Sequence, residues 1–486
     1  MRAFLASSIG VACSAALVLP LPLALPASAA PTSSVTSSAT GARTSSPVAA
    51  RTPSAPAAGD VSVPGTTQSL PLRALPSERA AGAAVRGLTR RDVRPFSLVG
   101  VVWDDPDAEL HGSVQVRTRA SDTGAWSGWQ SVETHNHDHA ADPGTPERDS
   151  GTVRGSTAPL WVGASDGVEV RVRAEAPRAG AAPAPLPRGM RIELVDPGDE
   201  PASEPAGEPA SEDTAQGPEL PEGNDTGTTS GQVPVPALTP EESAASAVNA
   251  ELVPLGSAEI PELSKEETEA AYADRFGEEA VAAKPYIGPR PRIVTRKGWG
   301  ADEKLRERNF VYTRSVQAAF VHHSATGNNY SCKQAPSVLR SIYRYHVKSS
   351  GWRDFGYNFA VDKCGNIYEG RAGGVAKAVL GAHTRGFNTN SMGIAVLGTY
   401  SQSTPPSAAV TAVARLTAWK LGLYGKDPRG KATLTSGGGN RYKKGAKVKL
   451  NVISGHRDGF LTDCPGTRLY GKLGTARSTS AKYQGR

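Results

Sequence analysis

Large apolar side chains are scarce in this sequence. Only 6% of its 486 residues are aromatic and 38% are hydrophobic, while 38 prolines and 52 glycines run through it. A length that allows about three domains therefore reads as less folded mass than that, with much of the chain given to linkers. No stretch beyond the N-terminus is long and apolar enough to span a bilayer, which excludes a later membrane span. No Gly-Lys-Ser/Thr follows Gly437-Gly-Gly439, so that run is a hairpin loop rather than a phosphate cradle. Charge of one sign is missing from only part of the chain. The formal net charge is +7, yet residues 1–195 carry +1, residues 196–283 carry −19 and residues 284–486 carry +25. A uniformly basic protein is excluded.

The N-terminus has the features of an export signal. Arg2 precedes an apolar run from Phe4 to Leu25 broken by Pro20 and Pro22, and Ala27-Ser28-Ala29 presents small residues at the cleavage positions. Residues 1–29 are read as a cleaved signal peptide, removing Cys13 with them, and the mature chain is expected to be secreted, extracellular or wall-associated. Residues 30–92 are Ala-, Ser- and Pro-rich and are expected to be disordered. Residues 93–196 change character. Ser97–Trp103, Gly112–Thr118, Trp126–Trp129, Leu160–Val162, Val168–Arg173 and Met190–Val195 alternate apolar and polar residues between turns, the pattern of a smaller all-β, sandwich-like accessory domain. His135, His137 and His139 alternate in a polar loop of that domain. Side chains so spaced on an extended segment can share a metal, but nothing nearby completes a shell, and the loop is read as solvated. Residues 197–288 form an acidic, Pro/Glu-rich linker, self-repelling and extended, with a short amphipathic helix expected over Leu263–Val281.

Residues 289–475 read as a mixed α/β domain, and residues 476–486 as a C-terminal tail. Ala318–His322 and Ser391–Leu397 are buried strands, Pro336–Val347 and Ser407–Leu421 are helices, and Asn358–Val361 with Asn366–Tyr368 is a hairpin. The chemistry-bearing string is His456-Arg-Asp-Gly-Phe-Leu-Thr-Asp-Cys464. Its terminal His and Cys can reach one ion, and imidazole with thiolate suits zinc. His322, at the end of a strand, would be a third ligand, and three protein ligands leave a fourth position for water. A buried core histidine, a Cys464 nucleophile paired with His456, and a disulfide through Cys464 remain open on spacing alone. Without Cys13, three cysteines stay in an oxidising compartment, and one pair leaves one over. Cys332 is paired with Cys364, and Cys464 is assigned to metal.

Several strings then occur in a known order: Phe320-Val-His-His-Ser-Ala-Thr326, Gly351-Trp-Arg-Asp-Phe-Gly-Tyr-Asn-Phe359, Tyr368-Glu-Gly-Arg371, Gly381-Ala-His383, Phe387-Asn388, Ser391-Met-Gly-Ile394, and Gly455-His456 to Cys464-Pro-Gly466. Residues 290–475 resemble the zinc N-acetylmuramoyl-L-alanine amidases of the peptidoglycan recognition protein and phage-type superfamily. Ile293–Arg296 with Trp299–Ala301 resembles the entry segment of secreted bacterial members, and residues 93–195 resemble an accessory β-domain found upstream in some of them. The resemblance implies a mixed central β-sheet flanked by helices, with Zn2+ held by His322, His456 and Cys464. It implies catalytic roles for Tyr357 and Thr462 as hydrogen-bond donors to the oxyanion, and a substrate groove near His346, Arg371, His383 and Asn388. Thr462 stands at a position that is Lys in phage-type members and Thr in recognition-protein amidases; a hydroxyl lacks the Lys charge, which leaves its share of the charge stabilisation open.

The implied reaction is hydrolysis of the amide between the lactyl group of N-acetylmuramic acid and L-alanine in peptidoglycan. No carboxylate is placed to protonate the leaving amine, which falls to Tyr357 or a water relay. His323, one residue further along the strand, faces the other way and is read as packing; Glu369 is read as structural. The alternative within the fold is a non-catalytic peptidoglycan-binding module, a class that typically lacks the Cys ligand; a zinc-free Cys464/His hydrolase is the third reading. Peptidoglycan is the expected partner. Export and the lack of a base-reading motif argue against nucleic acid, and a monomer is expected.

Overall fold

Alternating apolar residues build the first domain of the computed structural model, which describes residues 64–75, 85–134, 137–175, 185–199, 238–282, 284 and 286–486. Its strands are β1 (Pro64–Pro71), β2 (Arg73–Ala74), β3 (Val85–Trp103), β4 (Gly112–Ala120), β5 (Gln130–Val132), β6 (Gly155–Ser156), β7 (Leu160–Ala174) and β8 (Arg191–Gly198). They form one eight-stranded sheet in the order β1-β8-β3-β7-β4-β5, with β2 and β6 pairing on β3. The long β3 pairs with β7 from Val85 to Val99, with shifts of register on the way, and with β8 from Leu98 to Val102. Val114, Val116, Val168, Val170, Val172, Ile192 and Leu194 share one buried face with Trp103. Five of the six expected strands are thus present, two of them fused in β7; the sixth, Trp126–Trp129, is not a strand, Trp126 making one isolated bridge to Arg119 just before β5. One boundary is corrected: β1, β2 and the start of β3 at Val85 lie inside the segment 30–92 expected to be disordered, and the case of β1 shows why. Its small and polar residues gain order by pairing with β8 from Pro64 to Pro71, a partner that composition cannot reveal. The signal-peptide reading, Cys13 and His135 lie outside the described residues.

A second correction concerns the linker. Within it lie α1 (Pro240–Ala247), β9 (Glu259–Ile260), α2 (Lys265–Phe276) and α3 (Glu278–Ala282). Thr239 with Glu242 and Ser264 with Glu267 form capping boxes, each hydroxyl receiving the third residue's N–H while the glutamate accepts the cap's own. Ile260 is fully buried, and β9 extends the next domain's sheet. Net acidic charge alone predicts an extended tether, but local caps and a buried edge strand override it over this part. Residues 200–237 lie outside the described residues.

The C-terminal domain comprises β10 (Ile293–Val294), β11 (Ala318–His323), α4 (Ala335–Arg344), β12 (Phe359–Val361), β13 (Ile367–Glu369), β14 (Ser391–Val396), α5 (Ser407–Gly422), β15 (Lys431–Thr435), β16 (Lys447–Asn451), β17 (Ile453–Gly455), α6 (His456–Gly459), α7 (Thr467–Tyr470) and α8 (Leu473–Tyr483). Its seven-stranded sheet runs β17-β11-β14-β12-β13-β10-β9. Strand β11 is parallel to both β14 and β17, and β12 and β13 form the expected antiparallel hairpin. Alternation splits the sheet's two faces. Phe359, Val361, Ile394 and Val396 pack with Val413, Leu416 and Trp419 of α5. Ala360, Ala395 and Leu397 pack with Val338, Leu339 and Ile342 of α4. Each such buried aliphatic side chain contributes about 1.5–3 kcal/mol.

The α4 face does not end at the domain boundary. Leu98, Val102, Trp161 and Val195 of the first domain join the same cluster. The hydroxyl of Tyr345 donates to Thr157 O at 3.1 Å. The described residues accordingly form one unit. Residues 476–486, expected to be a tail, lie mostly in α8, where Thr417 Oγ1 and Ser480 Oγ are 3.1 Å apart and Gln484 Nε2 donates to Ala418 O. Its buried residues are Leu473, Ala476, Ser480 and Ala481, too small on the whole to give a strong periodic signal. Cys332 and Cys364 are bridged, and Cys464 is the free cysteine among the described residues. No described helix is long and apolar enough to cross a membrane.

Candidate metal centre

Neighbouring parallel strands bring two histidines together. Val321 of β11 is in register with Gly455 of β17, so the next residues, His322 and His456, stand side by side at the same end of the sheet. Their rings are 4.6 Å apart between centroids. The loop after α6 returns Cys464 to them, held by Arg457 N–H donating to Cys464 O and Cys464 N–H donating to Thr462 Oγ1. The Cys464 sulfur lies 3.7 Å from His322 Nδ1. The three ligands expected from the sequence are therefore adjacent.

A fourth group joins them. His139, from the loop read as solvated, places Nε2 3.6 Å from Cys464 Sγ and its ring 4.4 Å from that of His456. Ligand atoms of His139, His322, His456 and Cys464 all fall within 4.8 Å of one another. His139 is 6% exposed. The solvated-loop reading is corrected because the loop's polar groups are satisfied by the C-terminal domain rather than by water. The position expected to be open for water faces an imidazole. The His137-Asp138-His139 run is the signal the sequence offers, and nothing in its spacing points across to residue 322.

Burial and the neighbouring histidines hold His322 well below its ordinary pKa. Burial, together with His139, pushes His456 down to about 3 against the pull of Asp138. Neutral imidazoles are the form that binds metal. Burial also pushes the Cys464 thiol far up, reinforced by the carboxylates of Asp138 and Glu133. A thiol so placed is a poor free nucleophile, which counts against the Cys464 hydrolase reading, whereas a cation beside it would deprotonate it. Both ring nitrogens of His456 are buried without a hydrogen bond. Orphaned nitrogens, a buried thiol and four converging donors of N and S type fit zinc.

The outer groups orient these donors. Thr384 Oγ1 is 3.3 Å from His322 Nε2, the ring nitrogen away from the sulfur. Asp138 Oδ1 is 2.9 Å from His139 Nδ1, and Oδ2 is 3.9 Å from His456 Nδ1. A carboxylate behind a ligating imidazole sets its tautomer and orientation. Although burial favours the neutral acid, the surrounding imidazoles keep the Asp138 carboxyl well below its usual range.

Tyr357 is buried with its ring 5.3 Å from that of His322. His346 stacks on Trp352 and accepts Gly356 N–H at Nδ1, supporting the turn before Tyr357. His383 lies 5.3 Å from His322 between ring centroids, with Nδ1 3.0 Å from Thr384 Oγ1. Asn388 Oδ1 accepts the His383 and Thr384 N–H groups. Its Nδ2 donates to Ala140 O and Asp142 Oδ1, at 2.8 and 2.6 Å. Arg371 makes a two-pronged pair with Glu147, both contacts 2.8 Å. Thr462 stands apart: its hydroxyl caps the Cys464 loop, and its side chain lines a surface cleft with Arg441, Arg457 and Tyr470. His323 turns away from the cluster, Nδ1 accepting Tyr400 N–H and Nε2 3.5 Å from Glu133. Glu369 accepts Asn249 Nδ2 and Arg296 N–H, a structural tie to the α1 segment.

Two families of known proteins match the chain. Residues 49–206 match the family described as Rv3811 N-terminal galactose-binding domain-like, and residues 312–467 match N-acetylmuramoyl-L-alanine amidase. Peptidoglycan-recognition protein SC2 of Drosophila simulans is 33% identical over 184 residues, covering 38% of this chain and 85% of that protein. The chain belongs to the peptidoglycan recognition protein and amidase family. Within this family, the N-acetylmuramoyl-L-alanine amidase of Homo sapiens is 31% identical over 209 residues, covering 42% of this chain and 31% of that protein. The solved structure of wild-type Drosophila PGRP-LB is 26% identical and covers 38% of this chain and 92% of that chain, with a TM-score of 0.30. His322, His456 and Cys464 fall inside the residues matched to the amidase family. His139 falls in those matched to the galactose-binding-like family.

Proposed function

We propose that this protein is a zinc-dependent N-acetylmuramoyl-L-alanine amidase, exported to act on peptidoglycan. The observation that carries the reading is the buried convergence of His322, His456 and Cys464, with Tyr357 packed beside His322. These three residues would hold the ion, which when bound acidifies water and polarises a carbonyl. The chain does the rest. Thr384 Oγ1 and the Asp138 carboxylate stand beside the imidazoles of His322 and His139 and orient them. Buried Tyr357, its hydroxyl kept protonated by burial, serves as a hydrogen-bond donor towards a developing oxyanion, while the proton for the leaving amine comes from the attacking water through a water relay. Arg371 and Asn388, engaged here by Glu147 and by Ala140 and Asp142, would supply fixed donors for polar groups of the substrate once those contacts open. Thr462 contributes by holding the Cys464 loop.

Prolonged digestion of purified peptidoglycan by the zinc-loaded chain tests this. Free stem peptides should appear, disappear with chelator and return with zinc. Chelator-insensitive release would reject the metal chemistry. The second reading, a peptidoglycan binder without turnover, is favoured by the fourth protein donor at the centre, since closed four-ligand sites are the structural form. Retention on insoluble peptidoglycan with no release from any zinc-loaded form would select it.

A further inference from the structure

The first domain reaches into the candidate centre along one continuous segment, residues 137–154. His139 stands among the ligands. Arg385 N–H donates to Asp138 O at 2.9 Å. Asp142 accepts from Gly386 N–H and from Asn388. Glu147 occupies the guanidinium of Arg371 and accepts Arg353 N–H at 3.3 Å. Thr152 Oγ1 donates to Gly351 O, and Arg154 N–H donates to Ser350 O. The fit is close: a Cβ at Gly351 would stand 2.0 Å from Thr152 O, and Gly351 has φ +74.

Asn388 and Arg371, the donors that a substrate would use, are thus spent on backbone and carboxylate groups of the protein itself. Glu147 and Arg371 are both almost fully buried, which a merely touching surface loop would not achieve. Such pairs hold firmly once formed, because removing either partner strands the other charge out of water.

We infer that His139 is a fourth metal ligand supplied by the accessory domain, and that segment 137–154 seals the groove, so that the folded chain is a latent form of the enzyme. The inference rests on the amidase reading for its second half only. Asp138 behind His139 repeats the carboxylate–imidazole arrangement expected of a ligand. Turnover then requires the segment to leave, exchanging His139 for water and freeing Arg371 and Asn388 together.

The test uses the full chain in three forms: unaltered, His139→Ala, and Asp142→Asn combined with Glu147→Gln, which keeps all four ligands but loosens the segment. Zinc affinity by chelator competition and the visible spectrum of the cobalt-substituted protein read the ligand set without any assay of turnover. His139→Ala should hold zinc at least tenfold more weakly and change the cobalt spectrum. Release of stem peptides should rise at least tenfold in the doubly altered form, which should also be cleaved faster by protease within 137–154. An unchanged cobalt spectrum and zinc affinity in a folded His139→Ala protein would overturn the ligand assignment. Release from the unaltered chain as fast as from the loosened form would overturn latency. If no form releases stem peptide while the spectrum does change, the amidase reading falls and the fourth ligand stands.

Discussion

His139 Nε2 lies 3.6 Å from the sulfur of Cys464, although 325 residues separate them in the chain. This contact joins a β-domain to an amidase-type domain at a place where both would meet a metal ion. It makes the accessory domain part of the centre rather than an appendage.

The ligand set carries the first prediction. Cys464→Ser and His456→Ala should each lower bound zinc below stoichiometry after dialysis, measured by elemental analysis, and abolish stem-peptide release. Full zinc occupancy in the Cys464→Ser protein would refute the sulfur ligand.

Asp138 should tune the centre without touching the ion. Asp138→Asn keeps the shape but removes the charge behind His139 and His456, and should weaken zinc binding by about tenfold to a hundredfold. Chelator competition checks this, and an unchanged affinity would assign Asp138 to packing alone.

Glu369 sets a pH dependence of stability away from the centre. Burial raises its carboxyl from 4.5 to about 7, with Asn249 and Arg296 opposing the rise. Between these values the folded state binds the proton more tightly than the unfolded chain, so stability falls as pH rises from 4.5 to about 7 and then levels. The shift corresponds to roughly 3 kcal/mol. Glu369→Gln should remove most of that slope, so its Tm relative to the unaltered protein should climb across this window. Parallel Tm curves would show that the carboxyl does not titrate there.

The Cys332–Cys364 bridge spans 32 residues and should stabilise the fold by about 3–4 kcal/mol through the unfolded chain. Replacing both with Ser should lower Tm while leaving zinc stoichiometry unchanged. Loss of zinc in the folded double variant would mean that the bridge supports the centre directly.

The basic C-terminal domain, +25 over residues 284–486, should bind an anionic wall in a salt-dependent manner. Retention of the full chain on purified wall should fall steeply as ionic strength rises past the point where the Debye length drops below about 10 Å. A flat profile would reject charge as the source of retention.

Much of the fold could be read in advance where local pattern and packing agree. The strand at Ala318–His322, the hairpin around Lys363-Cys364-Gly365 and the helix from Ser407 show this: the strand is buried at every position, the hairpin pairs in antiparallel register about its turn, and the helix is buried over most of its length. The misread regions are those where order comes from a distant partner. Strand β1 is ordered by β8, and α8 by the small residues of α5. The α1–α2 segment carried visible caps at Thr239 and Ser264, but its net acidity masked them.

Sequence alone singled out His322, His456 and Cys464 as one candidate ligand set, because they lie in motifs that keep a recognisable order; the pairing of β11 with β17 then stands the two histidines side by side. Only tertiary structure decided that His139 completes the set and that Glu147 and Asp142 engage Arg371 and Asn388. Those contacts cross between domains, and no periodicity or spacing encodes them. They arise because Leu98, Val102, Trp161 and Val195 bury against the α4 face, and that docking carries a polar loop of otherwise ordinary appearance into the groove.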